Sequence, residues 1–158
     1  MYSRSIILFL LSITVLMSAQ TSIRASEIKS FTSDGCSAFP DGTITQQSLW
    51  SNCCFLHDLS YWKGGAEKQK VIADNELELC VKNVGEPHIA KLMLAGVQVG
   101  GSPFLNTPFR WGYGWPYGRG YKELSRSDKL QVAQKLEEFK VIIDSEIKQL
   151  SIDKNEGE

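Results

Sequence analysis

The stretch CCFLHDLSY, residues 53–61, combines two adjacent cysteines with a histidine, an aspartate and a tyrosine at helical spacing. On an α-helix, Cys53, His57 and Tyr61 follow one another every four residues and share one face, while Asp58 occupies the adjacent stripe. The stretch therefore predicts a helix that brings a disulfide, an imidazole and a carboxylate close together.

Outward from this stretch, glycines follow three apolar segments that have helical spacing. Pro87 suits the first position of a helix, and Thr45 suits the cap of the helix that carries the quoted stretch. The connection between the first two helices is so short that we expect them to fold back as an antiparallel pair. Because no convincing strand pair is present, the expected fold class is mainly α. The predicted helices span residues 46–63, 66–84, 87–99 and 127–150.

The N-terminal segment has the pattern of a secretory signal peptide, in which a basic residue precedes a short apolar run, residues 6–17, and small polar residues follow. We assign residues 1–25 to this signal, which places the mature protein in the periplasm or outside the cell. An uncleaved membrane anchor is the alternative, although the apolar run is short for one.

Residues 26–150 are expected to form a single domain, and residues 151–158 a flexible polar tail. The last predicted helix carries apolar residues at helical spacing, which predicts one face docked on the core. These residues are Leu130, Ala133, Leu136, Phe139, Ile143 and Ile147.

The composition of the 158 residues, 42% hydrophobic and 22% charged, is typical of a globular protein. Lys and Arg number 17 and Asp and Glu number 18, so the chain has no overall basic field that would attract nucleic acid. We therefore expect that the protein does not bind nucleic acid. Separately, we expect it to be a monomer.

All four cysteines lie after the N-terminal segment, and an even number in an exported chain favours two disulfides. Cys53 and Cys54 are sequence neighbours, so a bridge between them would be strained, and each is expected to pair with either Cys36 or Cys80. Two pairings remain open on this argument. A zinc site made from cysteines and a histidine is the alternative, but adjacent cysteines do not have the usual ligand spacing.

A bridge from Cys53 to Cys80 would also bring two other side chains together. In an antiparallel helix pair with that register, His57 lies in nearly the same layer as Asp74. An aspartate that contacts one imidazole nitrogen fixes the tautomer and leaves the other nitrogen free to take a proton from water. Asp58 projects about 100° round the helix, where it could hold a cation together with carbonyl oxygens of the loop at residues 34–42. This combination indicates a hydrolase.

The quoted stretch, Asp74 six residues before Cys80, and the glycine-bearing loop through Cys36 together resemble the secreted phospholipase A2 family. The resemblance covers about residues 34–81 and implies a minimal relative that has two disulfides. Those disulfides would be Cys36–Cys54 and Cys53–Cys80.

The resemblance also implies the roles of the residues at the site. His57 would be the general base that activates water, Asp74 would orient its ring, and Tyr61 would bond to Asp74. The implied reaction is calcium-dependent hydrolysis of an ester bond in a glycerophospholipid that is presented by a membrane or micelle. A catalytically silent module that binds lipid or protein is the alternative function.

Calcium would be bound by the Asp58 side chain together with the backbone carbonyls of the loop. The implied carbonyl ligands belong to Gly35, Ser37 and Phe39. The loop departs from the family pattern because it lacks the usual glycines after the cysteine, so Asp34 or Asp41 could supply a carboxylate instead.

The stretch WGYGWPYGRGY, residues 111–121, is rich in aromatic side chains and has two interpretations. Trp111, Trp115 and Tyr117 could form a lipid-facing rim, because aromatic rings with polar tips favour the membrane interface. Alternatively, they could pack over the helices, with the glycines making tight turns.

Overall fold

The computed structural model describes residues 26–156, with side chains to residue 149. The predicted signal peptide lies outside the described residues. Four helices and no strand occur in residues 26–156, which confirms the mainly α class. None of these helices has both the length and the apolar character needed to cross a membrane. The helices are α1 (Ser51–Lys63), α2 (Glu67–Asn83), α3 (Pro87–Gly100) and α4 (Arg126–Glu156).

Two helix ends differ from the prediction. The helix α1 begins at Ser51 rather than at residue 46, and Thr45 does not cap it, because Trp50 precedes the first turn without a side-chain cap. The Trp50 indole N–H donates instead to the carbonyl of Pro40 at 2.6 Å, and the Trp50 amide donates to the carbonyl of Asp41. These bonds hold the residues before α1 in the loop. At the other end, the backbone of α4 continues to Glu156, past the predicted start of the polar tail.

The helices α1 and α2 form the predicted antiparallel pair. Gly64 and Gly65 make the turn between them with φ of 65° and 147°, a region that side chains disfavour. A Cβ at Gly64 would also lie 2.9 Å from the Cα of Gly112, so the turn packs closely on the aromatic segment. The disulfide Cys53–Cys80, with its Cα atoms 5.7 Å apart, joins the other end of the pair.

The apolar interior has two main clusters. One lies between α1, α2 and α3 and contains Trp50, Leu77, Val81 and Met93 together with the cysteines. The other joins the N-terminal segment, α1, the aromatic segment and α4; its buried members are Ile28, Phe31, Trp62, Trp115 and Val132. Burying a large apolar side chain contributes about 1.5–3 kcal/mol, so these clusters fix α1 on both sides.

The docked face of α4 differs from the prediction. Val132 is buried, and Leu136 and Phe139 pack against the second cluster. Leu130 is 64% exposed, because it lies away from the face of α4 that carries Val132. Ile147 is 60% exposed, because it lies beyond the part of α4 that packs against the second cluster. The prediction was therefore right for Leu136 and Phe139 and wrong for Leu130, Ala133, Ile143 and Ile147, which are exposed.

Candidate active site

His57 and Asp74 meet across the α1–α2 pair. The Nε2 atom of His57 lies 3.2 Å from Oδ1 of Asp74, and both side chains are buried. His57 stands one turn after Cys53 on α1, and Asp74 stands six residues before Cys80 on α2, so the disulfide and the turn glycines fix their register. The predicted juxtaposition of these two residues is therefore present.

Two further donors hold the Asp74 carboxylate. Tyr61 donates its hydroxyl to Oδ1 at 2.6 Å, and Lys70 donates its ammonium to Oδ2 at 2.7 Å. Burial raises the pKa of the Asp74 carboxyl, but the hydrogen bonds from His57, Lys70 and Tyr61 outweigh burial and hold this pKa below its ordinary value. Asp74 is therefore ionised at neutral pH and accepts a hydrogen bond from Nε2 of His57.

The phenol of Tyr61 stays protonated at the site. Burial is the main reason that its pKa is raised, and the adjacent Asp74 charge raises the pKa further. The ring of Tyr61 also lies against His57, with the ring centroids 4.1 Å apart, and meets Trp111 edge to face. A neutral phenol in this position donates to Asp74 and confines the imidazole.

Lys70 was missed by the sequence interpretation. It lies one turn before Asp74 on α2, is only 5% exposed, and donates a second hydrogen bond to the carbonyl of Val97 on α3 at 3.2 Å. Its spacing from Asp74 was visible in the sequence, but lysine and aspartate four residues apart usually form exposed pairs on helix surfaces.

Asp58 lies beside His57 and faces the loop that precedes α1. Its side chain is buried, and Ser33 donates its hydroxyl to Oδ2 at 2.7 Å. Burial raises the pKa of Asp58 to about 6, against the bond from Ser33 and the field of His57, which lower it. The charges of Asp34 and Asp41 raise it further. Among the described residues no Lys or Arg pairs with Asp58, so the charge of its ionised form is only weakly compensated.

The loop before α1 has an irregular backbone next to Asp58. Gly35 and Ser37 both have positive φ, 77° and 53°, and Ser37 is the non-glycine residue with this conformation among the described residues. Asp41 accepts the amide of Cys36 at 2.8 Å, and Asp34 accepts the hydroxyl of Ser37. Both alternative carboxylates are thus used to shape the loop.

The residues at this site fit a hard cation such as calcium in one respect. Asp58 supplies a buried carboxylate, and a bound cation would compensate the negative charge of its ionised form. Calcium prefers oxygen ligands of this kind. No group of three or more His, Cys, Asp or Glu side chains that could hold a metal occurs in the described part of the chain. The further ligands would therefore be backbone carbonyls, and those of Gly35, Ser37 and Phe39 remain the predicted ones.

A cavity of about 420 Å³ connects these groups. His57, Asp58 and Tyr61 line it together with the loop from Gly35 to Phe39. The rest of its wall is largely apolar and comes from α2, α3 and the segment after α3. These residues include Leu77, Leu92, Met93, Val97 and Phe109. The cavity therefore places the imidazole and the carboxylate beside space that fits a hydrocarbon chain.

The two disulfides are Cys36–Cys54 and Cys53–Cys80, the pairing that the resemblance implies. They attach the loop and α2 to adjacent residues of α1. The loop with the predicted metal ligands is therefore fixed to the same helix that carries His57. All four cysteines are bonded, which leaves no thiolate for the alternative zinc site.

Of the two interpretations of the aromatic stretch, packing over the helices holds for Trp111 and Trp115, and the lipid-facing rim does not. Both are buried, and their indole N–H groups donate to the carbonyls of Gly65 at 2.9 Å and Lys63 at 2.8 Å. Trp115 thus satisfies the carbonyl of the last residue of α1, and Trp111 shares the carbonyl of Gly65 with the amide of Lys122. Tyr117 is 54% exposed, but its hydroxyl donates to the carbonyl of Phe104.

No protein-family model, curated protein or solved structure matches the chain. The functional conclusion therefore depends on the residues and geometry of this site.

Proposed function

We propose that the protein is a secreted or periplasmic, calcium-dependent hydrolase of ester bonds in glycerophospholipids, of the phospholipase A2 type. The observation that carries this proposal is the contact of the ionised Asp74 with His57, which lines an apolar cavity together with Asp58. The two disulfides support export, because such bonds persist in oxidising compartments.

The protonation state of the dyad suits a general base. Because ionised Asp74 accepts the proton of Nε2, the neutral imidazole of His57 keeps its lone pair on Nδ1. Nδ1 can then take a proton from a water molecule as the water oxygen attacks the ester carbonyl. The same proton can pass from Nδ1 to the leaving glycerol oxygen when the ester bond breaks.

Asp58 and the loop carbonyls would hold calcium beside His57. The bound ion would polarise the ester carbonyl and carry the negative charge that develops on its oxygen. The chain's own contribution is to hold the Asp58 carboxylate within the cavity wall and to fix the loop through Cys36 and Asp41.

The surroundings of the cavity support a phospholipid substrate. On α3, Leu92 and Gly96 line the cavity, and Val99 continues the same helix face. Leu92 is 57% exposed and Val99 is 77% exposed. Residues 87–122 contain no Asp or Glu. An exposed apolar face without carboxylates is suited to a lipid surface, and more so to an anionic one.

One observation favours the silent module as a second candidate. Ser33 already donates to Oδ2 of Asp58, so one of the two carboxylate oxygens has a partner that a bound ion would have to displace or tolerate. Such a module would use the same cavity to bind lipid without hydrolysing it.

The experiment that separates the two candidates is release of fatty acid from phospholipid vesicles by the purified mature protein. The enzyme should release fatty acid in millimolar calcium and stop when a chelator removes the calcium. Binding to the vesicles without release of fatty acid in calcium would favour the silent module.

A further inference from the structure

We infer that Lys70 is a positioning residue, which holds the Asp74 carboxylate in the orientation that His57 requires and connects it to the wall of the substrate cavity. The inference rests on the proposed function and adds a residue to it. It starts from the burial of an ammonium group, 5% exposed, at the centre of three helices.

The two oxygens of the Asp74 carboxylate have different partners. His57 and Tyr61 both bond to Oδ1, whereas Lys70 bonds to Oδ2 at 2.7 Å. Without Lys70, Oδ2 has no partner in the described structure, and the carboxylate can rotate about its terminal bond, where rotation is soft. Lys70 therefore fixes the plane of the carboxylate and, through it, the plane of the imidazole.

The second bond of Lys70 reaches the cavity wall. Its Nζ atom lies 3.2 Å from the carbonyl oxygen of Val97, and the Tyr61 hydroxyl oxygen, which donates its proton to Asp74, lies 3.3 Å from the same carbonyl oxygen. Val97 lies in the last turn of α3 and lines the cavity. A cation is favourable at this end of a helix, because the last carbonyls carry partial negative charge. Lys70 thus joins the carboxylate on α2 to the helix that forms the apolar wall.

The Lys70 side chain is shielded from solvent and does not line the cavity. The ammonium lies 5.4 Å from the centre of the Tyr61 ring, and the side chain is buried between the helices. Lys70 therefore does not contact substrate and acts through Asp74. Loss of its amine should lower the rate of the chemical step and leave substrate binding nearly unchanged.

The test compares Lys70→Met with the matched control Lys68→Met. Lys68 lies on the same helix, and its side chain is 73% exposed. A small displacement of a catalytic group can cost about 100-fold in rate, so kcat of Lys70→Met should fall by about 10- to 100-fold while KM changes by less than about twofold. Lys68→Met should match the wild type. A folded Lys70→Met protein with wild-type kcat would overturn the inference.

A second pair of variants covers the case in which Lys70→Met fails to fold with an unpaired Asp74. Asp74→Asn removes the charge, so the double variant Asp74→Asn/Lys70→Met has no buried unpaired ion. If Lys70 acts through Asp74, the double variant should have the same kcat as Asp74→Asn alone. A further tenfold loss in the double variant would show that Lys70 acts elsewhere.

A readout that does not need turnover separates this inference from the proposed function. The ring N–H signal of His57 in ¹⁵N-resolved NMR spectra should shift or broaden in Lys70→Met and stay in place in Lys68→Met. If the wild-type protein releases no fatty acid, the proposed function fails, whereas this signal still tests the positioning. An unchanged His57 signal in a folded Lys70→Met protein would overturn the inference.

Discussion

Replacing Asp58 with Asn should stabilise the calcium-free protein at pH 8. The carboxyl has a pKa of about 6 in the folded protein, because of burial, against an ordinary value of 3.8. At about 1.36 kcal/mol for each pKa unit, the ionised carboxylate costs the fold about 3 kcal/mol. The amide side chain of the Asp58→Asn variant would keep an oxygen to accept the Ser33 hydroxyl and would carry no charge.

The sign of the pH dependence follows from the raised pKa. Folded Asp58 holds its proton more tightly than the unfolded chain, so its contribution is most favourable below about pH 4. That contribution is lost as the pH rises from about 4 to above 6, where both states are ionised. The stability advantage of Asp58→Asn over the wild type should therefore be small at pH 4 and reach about 3 kcal/mol at pH 8.

The assay is urea unfolding at these two pH values in the presence of a chelator, followed by circular dichroism. Asp144→Asn is the matched control, because its side chain is 57% exposed at the surface of α4. Adding calcium at pH 8 should stabilise the wild type and leave Asp58→Asn unchanged. Equal stability of Asp58→Asn and the wild type at both pH values would refute the argument from burial, and equal stabilisation of both by calcium would refute the ligand role.

Two further perturbations test the support of the site and its approach to lipid. Replacing both Cys53 and Cys80 with Ser should cost about 2–5 kcal/mol in the same unfolding assay, because the bridge closes the α1–α2 pair; an unchanged midpoint would show that the pair is stable without it. Val99→Glu should weaken sedimentation with anionic vesicles at least tenfold while hydrolysis of a dissolved short-chain phospholipid continues. Val141→Glu, at a valine that is 58% exposed on α4, is its control, and equal losses in both variants would contradict a docking role for the α3 face.

The arrangement of His57, Asp74 and Tyr61 was predictable because it depends on local periodicity and on one bridge. Helical spacing puts His57 and Tyr61 on one face, and the short glycine turn leaves little freedom in the register of α2. The contact between His57 and Asp74 then follows from the register that the Cys53–Cys80 bridge sets, and that bridge is the one of the two open pairings that the family resemblance implies. Asp58 was predictable on the same helix for the same reason.

Other features depend on contacts between distant parts of the chain and have no local signal. The burial of Trp115 depends on a bond from its indole to Lys63, 52 positions away. The role of Lys70 depends on Val97, which lies 27 positions away on another helix. The start of α1 depends on the bond from Trp50 to Pro40 in the loop. A pattern of residue types does not specify such partners, so these features required the structure.

The exposed half of α4 shows the limit of apolar periodicity. Phe31 meets Phe139 edge to face with ring centroids 5.7 Å apart, which anchors the middle of the helix. Beyond residue 140, the described side chains of α4 are exposed, and Ile147 is among them. Helical spacing identifies the apolar face of a helix, but it does not show how far along the helix other parts of the protein pack against that face.

The measurement that tests the central claim most directly is the rate of fatty-acid release by His57→Gln in millimolar calcium. His88→Gln is the control, because His88 is the second histidine of the chain and is exposed. The account predicts that His57→Gln melts like the wild type and releases no fatty acid, while His88→Gln retains the wild-type rate. Fatty-acid release by folded His57→Gln at the wild-type rate would contradict the account.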